Sequence, residues 1–448
     1  MRSRACCREK RARCSRPRSA LFAPVRDPGL VIVDEEHEGS YKSHTHPRYH
    51  ARDMAVLRGH LAGALVVLGS ATPSIESYHS AQRGKYAMVS MPARIRGAPL
   101  PVVEVADVRA ELLASGQPAL LARPLLGALR GALAAGAQGL VLLNRRGYAS
   151  QLLCRGCGQP VPCDRCSQSL TFHRELGRLV CHLCGASRRL PQRCPECRGD
   201  LLELRGAGTE RVQAEIEEIL PEARALRIDS DLTARQAARA FARFGSGECR
   251  ILVGTQMIAK GHDFRNVSVV GVLQADALLG LPDFRGAERT FQLLTQVAGR
   301  AGRHGGAGRV ILQCWNGEHY AIAAARAHDY GAFYEREIRA RSAQLLPPKT
   351  GLAIVLASAR DEDAARDLAS RAAEDLRRFR PSVDVLGPAP PFRARIAADH
   401  RRQIVVRARQ RRSVREALAR SAQESRLAAP FGIRGARLSL DIDPVDLL

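Results

Sequence analysis

The chain reads as an α/β protein, with doubly wound parallel sheets, a cysteine-rich insertion and a small α+β domain at the C-terminal end. Three observations predict this. Short aliphatic runs (Leu30–Val33, Leu65–Leu68, Leu140–Leu143, Ile251–Val253, Val269–Leu273 and Val310–Leu312) alternate with amphipathic stretches. Strands buried on both faces alternate with covering helices in this way. Four Cys-x-x-Cys pairs crowd into residues 154–197 and interrupt that alternation. Beyond Leu346-Pro347-Pro348 the pattern becomes strand, helix, strand, Pro-rich turn, strand, helix, strand.

Taken in order, residues 1–17 carry seven basic residues, one acid and three cysteines with almost no aliphatic content. Disorder is the expectation for such a leader. Each of the six aliphatic runs is a strand expectation. Between them, Thr209–Leu220 puts Val212, Ile216, Ile219 and Leu220 on one helical face. In the last hundred residues the expected elements are a strand over Gly351–Ser358, a helix over Asp361–Arg378, a strand over Gln403–Arg407 and a strand over Ala436–Ile442.

Composition narrows the function. The formal net charge is +24, and only five of the 69 basic residues are lysine. Such a field favours a polyanion, most simply nucleic acid. No apolar run nears the roughly 18–20 residues that span a bilayer, so a soluble, cytoplasmic protein with no membrane partner is expected. The pairs Cys154/Cys157, Cys163/Cys166, Cys181/Cys184 and Cys194/Cys197 each set two thiolates on a tight turn. Two pairs complete one tetrahedral Cys₄ site, so eight cysteines predict two structural zinc ions rather than disulfides. The remaining cysteines, Cys6, Cys7, Cys14, Cys249 and Cys314, show no ligand spacing.

Four stretches carry chemistry. Leu30–Val33 runs into Asp34-Glu35-Glu36-His37, two acids at the carboxyl end of a buried strand, where open α/β folds bind ligands. In a nucleoside triphosphatase Asp34 would hold Mg²⁺ on the phosphates, Glu35 would polarise the attacking water, and His37 would couple the site to a neighbouring motif. Gly69-Ser70-Ala71-Thr72-Pro73 follows a second strand. Gly254-Thr255-Gln256-Met257-Ile258-Ala259-Lys260-Gly261-His262-Asp263-Phe264 leaves a third, with Gly254, Thr255, Lys260 and Gly261 as candidate nucleotide contacts. Gln296-Val297-Ala298-Gly299-Arg300-Ala301-Gly302-Arg303 is expected to set Arg300 and Arg303 three apart on a helix, one of them an arginine finger across a domain interface. Gln296 and Gly299 belong to the same motif. Between the first two motifs, Tyr41, His44, His46, Tyr49 and His50 offer stacking faces, and Lys42, Arg48 and Arg52 offer phosphate contacts.

These motifs in this order resemble motifs II, III, V and VI of superfamily 2 helicases. With Arg18–Pro24, Tyr49–Asp53, Asn144–Tyr148, the eight-cysteine insertion and Gly208–Glu210, the chain from about residue 18 onward resembles the replication-restart helicases, the PriA or primosomal protein N′ family. The resemblance implies two RecA-like lobes, the first partial over 18–115 and the second over 116–152 and 204–345. It implies a two-zinc insertion over 153–203 and a C-terminal α+β domain over 346–448. It also implies an ATP- and Mg²⁺-dependent 3′→5′ DNA helicase that recognises stalled forks and D-loops in the nucleoid. Its implied partners are primosome proteins and single-stranded-DNA-binding protein. In the family the outer cysteine pairs share one zinc, which by position are Cys154, Cys157, Cys194 and Cys197. The inner pairs share the other, here Cys163, Cys166, Cys181 and Cys184. The catalytic group it implies is Asp34, Glu35, Glu36, His37, Arg300 and Arg303. The sequence has no Gly-x-x-x-x-Gly-Lys-[Ser/Thr], so the expectation is an N-terminally incomplete motor whose first 17 residues are foreign to the family. A non-motor DNA-binding and primosome-docking module is the competing expectation. A zinc-ribbon protein of RNA metabolism leaves the acids and arginines unexplained.

Overall fold

The computed structural model describes the chain except residues 1–17, 46, 92–98, 116–119, 145–151, 155, 158, 166–168, 174–176, 182–183, 201, 205–208, 230–231, 260–263, 303–307, 425–434 and 448. The chain divides into two units, Met1–Met88 and Val89–Leu448.

In the first unit, β1 (Leu30–Val33) leads through α1 (Ala51–Ala62) to β2 (Leu65–Leu68) and then α2 (Ile75–Gln82). β1 and β2 pair in parallel, Leu30 opposite Leu65 and Val33 opposite Leu68. α1 stops at Gly63, whose φ of 63° is the left-handed cap that glycine adopts freely. Ser74 starts α2 by accepting from the Ser77 N–H. Both strands were expected to be buried on two faces. Instead Leu30, Ile32, Leu65 and Val67 lie exposed on one face. α1 packs on the pair, and one helix covers one face.

The second unit is built on a six-stranded, all-parallel sheet. Its strands are β3 (Val102–Asp107), β4 (Gln138–Leu143), β10 (Leu226–Ile228), β11 (Ile251–Gly254), β12 (Val267–Leu273) and β13 (Arg309–Cys314), in the order β10-β11-β4-β12-β13-β3. Connecting helices are α3 (Val108–Ser115), α4 (Arg123–Ala134), α5 (Thr209–Ile219), α6 (Ala234–Gly245), α7 (Gly286–Ala298), α8 (Tyr320–Arg326) and α9 (Tyr330–Ala343). α4 sits directly on the sheet. Its Leu125 and Leu129 are fully buried, each adding roughly 1.5–3 kcal/mol by leaving water. Gly271 makes room for Leu125, since a Cβ there would lie 2.5 Å from Leu125 Cδ1.

β3 corrects the expected boundary between residues 115 and 116. It pairs with β13 from Val102–Arg309 to Asp107–Cys314, so 102–115 belong to the second sheet. Val-Val-Glu-Val-Ala-Asp lacks a long aliphatic run because an edge strand needs only one partner.

The insertion leaves and rejoins through the antiparallel pair β5 (Leu152–Cys154) and β9 (Leu202–Leu204). Inside it, β6 (Thr171–His173), β7 (Arg178–Val180) and β8 (Ser187–Arg189) form a meander. The C-terminal segment is an antiparallel sheet of β14 (Gly351–Ala359), β15 (Asp384–Ala389), β17 (Asp399–Ala408) and β18 (Arg437–Ile442), in the order β15-β17-β14-β18. The short β16 (Arg395–Ile396) folds onto β17. Its helices α10 (Glu362–Arg377) and α11 (Arg411–Gln423) bury Leu368, Leu376, Val414 and Leu418 against Val355, Ile404 and Val406.

Candidate functional site

β1 delivers the four acidic-motif residues into a turn beside the end of β2. The Gly69 N–H donates to the Val33 carbonyl at 2.9 Å, and the Glu36 N–H donates to the Gly69 carbonyl at 3.1 Å. The two strand-end motifs are therefore stitched backbone to backbone. Asp34 accepts from the Glu35 N–H at 3.0 Å, and Glu35 holds a left-handed φ of 45°, a conformation that costs a non-glycine residue on the order of 1 kcal/mol. Both carboxylates point outward and remain open to a ligand. His37 Nδ1 lies 2.7 Å from the Ser70 hydroxyl and 3.5 Å from Glu35 Oε2. His37 thus touches the neighbouring strand-end motif.

Glu36 does something other than expected. It is 1% exposed and accepts from the Ser74 N–H at 2.6 Å, the Ser74 hydroxyl at 3.0 Å, the Ser77 hydroxyl at 2.9 Å and Arg52 Nη1 at 3.2 Å. It is a buried anchor tying the turn to α1 and α2. Arg52 is corrected with it. Rather than facing phosphates, Arg52 is buried and pairs with Glu36, Asp53 and the Ser74 hydroxyl. Burial works against its charge, but the Asp53, Glu36 and Glu76 carboxylates outweigh that and raise its pKa. Lys42 is only 2% exposed, so it too is withdrawn from the expected DNA contacts.

Tyr41 donates to the Asp34 carbonyl at 2.8 Å, which fastens the aromatic loop to the acids. Burial and the acids Asp34, Glu38 and Glu35 raise its pKa. Tyr49 packs edge-on to Phe22 at 5.1 Å and is half-buried, as is Arg48. His46 lies outside the described residues. Sequence reading missed the serine pair beneath Glu36, although Ser74-x-x-Ser77 ahead of a helix is a capping signal.

In the second unit Gly254 ends β11. A Cβ there would meet the Ile228 carbonyl oxygen at 2.4 Å and Ile258 Cγ2 at 2.8 Å. Close strand packing therefore requires a glycine here. Thr255 follows it half-buried, while Lys260 and Gly261 lie outside the described residues. α7 carries Gln296 but ends at Ala298, with Gly299 as its cap, so Arg300 sits in the turn that follows and not on the helix. Further along that turn Gly302, at φ 65°, takes a left-handed conformation that glycine adopts freely. Arg303 lies outside the described residues.

At its other end α7 is fixed by a buried ionic network. Arg341 Nη2 donates to Glu288 at 2.7 Å and its Nε to Glu337 at 2.7 Å, and Arg285 reaches Glu288 at 2.8 Å. Arg289 binds Asp283 at 2.6 Å and donates to the Val445 carbonyl at 2.9 Å. Burial raises the Asp283 carboxyl pKa, opposed by the Arg289 charge.

The cysteines form two clusters. Cys154, Cys157, Cys194 and Cys197 lie together, as do Cys163, Cys181 and Cys184, with Cys166 outside the described residues. Their Sγ separations are 3.5 Å for Cys154–Cys197, 3.7 Å for Cys157–Cys194 and 3.6 Å for Cys163–Cys184. Zn–S bonds of about 2.3 Å in a tetrahedron put sulfurs about 3.8 Å apart, whereas a disulfide needs about 2.05 Å. The clusters therefore fit zinc. Without metal, burial pushes Cys157 up to about 12 and Cys184 up to about 11, while the Gly199 N–H draws Cys197 down to about 7. A metal must displace protons from the buried thiols.

Known proteins match these segments in the same order. The Helicase conserved C-terminal domain matches residues 207–305, the PriA DNA helicase Cys-rich region domain residues 163–189, and the Primosomal protein N C-terminal domain residues 343–445. The "Replication restart protein PriA" of Bacillus subtilis (strain 168) is 44% identical over 396 residues, 88% of this chain and 49% of that one. The chain belongs to the PriA family. PriA proteins of Treponema pallidum (strain Nichols) and Haemophilus influenzae (strain ATCC 51907 / DSM 11121 / KW20 / Rd) are 39% and 36% identical, each over 96% of this chain and over 64% and 58% of their own. The chain thus spans about half to two thirds of the length of these PriA relatives. Its second sheet is a RecA-like helicase lobe carrying the zinc-ribbon insertion of the PriA family. No described helix is long and apolar enough to cross a membrane.

Proposed function

We propose that this chain works in DNA replication restart, as part of an ATP-dependent 3′→5′ helicase that recognises forked DNA and begins primosome assembly. The observation that carries this reading is the joining of the two strand-end motifs. His37 meets Ser70 at 2.7 Å, while Asp34 and Glu35 stay open to a ligand. In that reading Asp34 takes Mg²⁺ on the phosphates of ATP and Glu35 orients the attacking water. Within the second unit, Arg300 and Arg303 are phosphate-neutralising residues, and Lys260, Gly261 and Gln296 are further nucleotide contacts. Tyr41, His44, Arg48 and Tyr49 are the DNA-facing side of the first unit. The eight cysteines hold two structural zinc ions. Primosome proteins and single-stranded-DNA-binding protein are the proposed partners, in the cytoplasm at the nucleoid.

A second reading has its own support. The 448 residues contain no Gly-x-x-x-x-Gly-Lys-[Ser/Thr], so this polypeptide by itself would bind DNA and dock partners without turnover. Positioning supplies most of the catalysis in phosphoryl transfer.

Two measurements on the purified chain test both readings. Affinity for forked DNA, followed by fluorescence anisotropy, should fall about 10³-fold or more between 50 and 200 mM salt if 6–10 phosphates are contacted. Affinity indifferent to salt would sink the DNA reading. DNA-stimulated ATP hydrolysis should be absent from this chain. Turnover that Glu35→Gln removes would instead favour the motor reading for the chain as it stands.

A further inference from the structure

We infer that the two cysteine clusters are unequal, and that metal at the inner cluster is what seats the C-terminal sheet on the rest of the second unit. The inference rests on the zinc reading above. Cys163 is 3% and Cys181 0% exposed, and both belong to one apolar core shared by three segments. Into it Leu352 of β14 and Val405 of β17 project from the C-terminal sheet, and Phe284 from the stretch before α7.

The backbone contact is closer still. Gly185 immediately follows Cys184 and has a φ of 78°. A Cβ on it would lie 3.1 Å from the Pro388 carbonyl oxygen and 3.3 Å from Ala389 Cβ. The inner cluster's turn is therefore pressed against β15, where the β15–β17 register shifts between Leu386 and Ala389. A side chain there would need a left-handed backbone and would crowd β15, so glycine suits the position.

The outer cluster has different neighbours. Cys154 and Cys194 are as deeply buried as Cys163 and Cys181, and Cys157 is half-buried like Cys184, but Cys197 is exposed. Its described tie to the lobe is the Arg109 Nη1 donation to the Cys157 carbonyl at 3.4 Å, beside β3 and not beside the C-terminal sheet. None of its cysteines belongs to the shared core.

The physical consequence follows from how small metal sites fold. A turn that carries metal ligands is shaped by its ion, and the binding free energy is folding free energy. Loss of the inner ion should relax the 181–185 turn and remove the surface on which Pro388 and Ala389 rest. Loss of the outer ion should leave that surface intact. The opposing possibility is that the C-terminal sheet is held without help from the metal, through Arg289 with Val445 and through Arg407, which donates to the Gln344 carbonyl at 2.8 Å.

The test uses the full chain, with zinc content measured first. Zinc near zero in protein never exposed to chelator defeats the zinc reading itself. With about two zincs per chain, amide hydrogen exchange is compared in Cys184→Ser, Cys197→Ser and Gly185→Val. Cys184→Ser should lose one zinc and speed exchange at 384–389 and 403–406 at least tenfold. Cys197→Ser should lose one zinc and leave those amides within twofold of the parent. Gly185→Val keeps every ligand, so it should retain both zincs and still speed exchange at 384–389. It decides the matter if Cys184→Ser does not fold. Equal effects of the two cysteine variants, or unchanged exchange in Gly185→Val, would overturn the inference.

Discussion

At the scale of single residues, chemical type was legible but orientation was not. Asp34, Glu35 and His37 occupy the open strand end that their sequence suggested. Lys42 and Arg52 do not face solvent, because a basic residue in sequence carries no mark of which way it points. Arg52 has become the internal counter-charge of Glu36. Breaking a buried pair by removing one partner typically costs about 3–5 kcal/mol, so Arg52→Ala should destabilise the first unit by that order. The loss would be seen as lost hydrogen-exchange protection at the Ser74 and Ser77 amides. Protection unchanged in Arg52→Ala would contradict the anchor role. His319 gives a pH prediction. It caps α8 by accepting from the Ala321 N–H through Nδ1, and burial lowers its pKa from 6.5 to about 4. The unfolded chain therefore binds the extra proton between those values. The stability from this group is fully present above about pH 6.5 and is lost as the pH falls toward 4, by at most about 3 kcal/mol. His319→Asn keeps a cap but does not titrate, and it should flatten the urea midpoint of the second unit between pH 5 and 7.

At the scale of elements, the aliphatic runs located every long strand of the parallel sheets except β3. Strand existence is set by the local density of β-branched and apolar residues. Which faces are covered is set by what packs on them. In β1 and β2 the same residue pattern leaves Leu30, Ile32, Leu65 and Val67 exposed. An open apolar face of this kind promotes association. The double variant Ile32→Thr/Leu65→Thr should change stability by no more than about 0.5 kcal/mol per site and should lower light scattering by the 448-residue chain on warming. A large loss of stability would mean that these side chains are buried in solution. The arginine motif shows the same division. α7 ends at Ala298, so Arg300, which read as part of the helix, belongs to the turn that follows.

At the scale of the whole molecule, the described C-terminal tail closes the second unit. Leu447 is 2% exposed in the core shared with Cys163, Phe284 and Val405, and Arg289 grips Val445 and Asp446 from α7. Leu447→Ala should therefore cost about 2–5 kcal/mol, read as a lower urea midpoint of the second unit, although the residue is next to the last. A surface-like change below about 0.5 kcal/mol would show the tail to be loose. The sequence by itself determined the α/β class, the order of the motifs, the spacing of the Cys-x-x-Cys pairs and the strand–helix alternation of the C-terminal domain. All of these follow from local periodicity and spacing, which a linear string records. Only the tertiary structure decided that β3 joins the second sheet, that Glu36 and Arg52 face inward, that Gly254 and Gly185 are there for close packing, and that the inner cysteine cluster abuts the C-terminal sheet. Those depend on contacts between residues far apart in the chain, where burial reverses the meaning of a charge and the approach of another backbone, rather than a turn, demands a glycine.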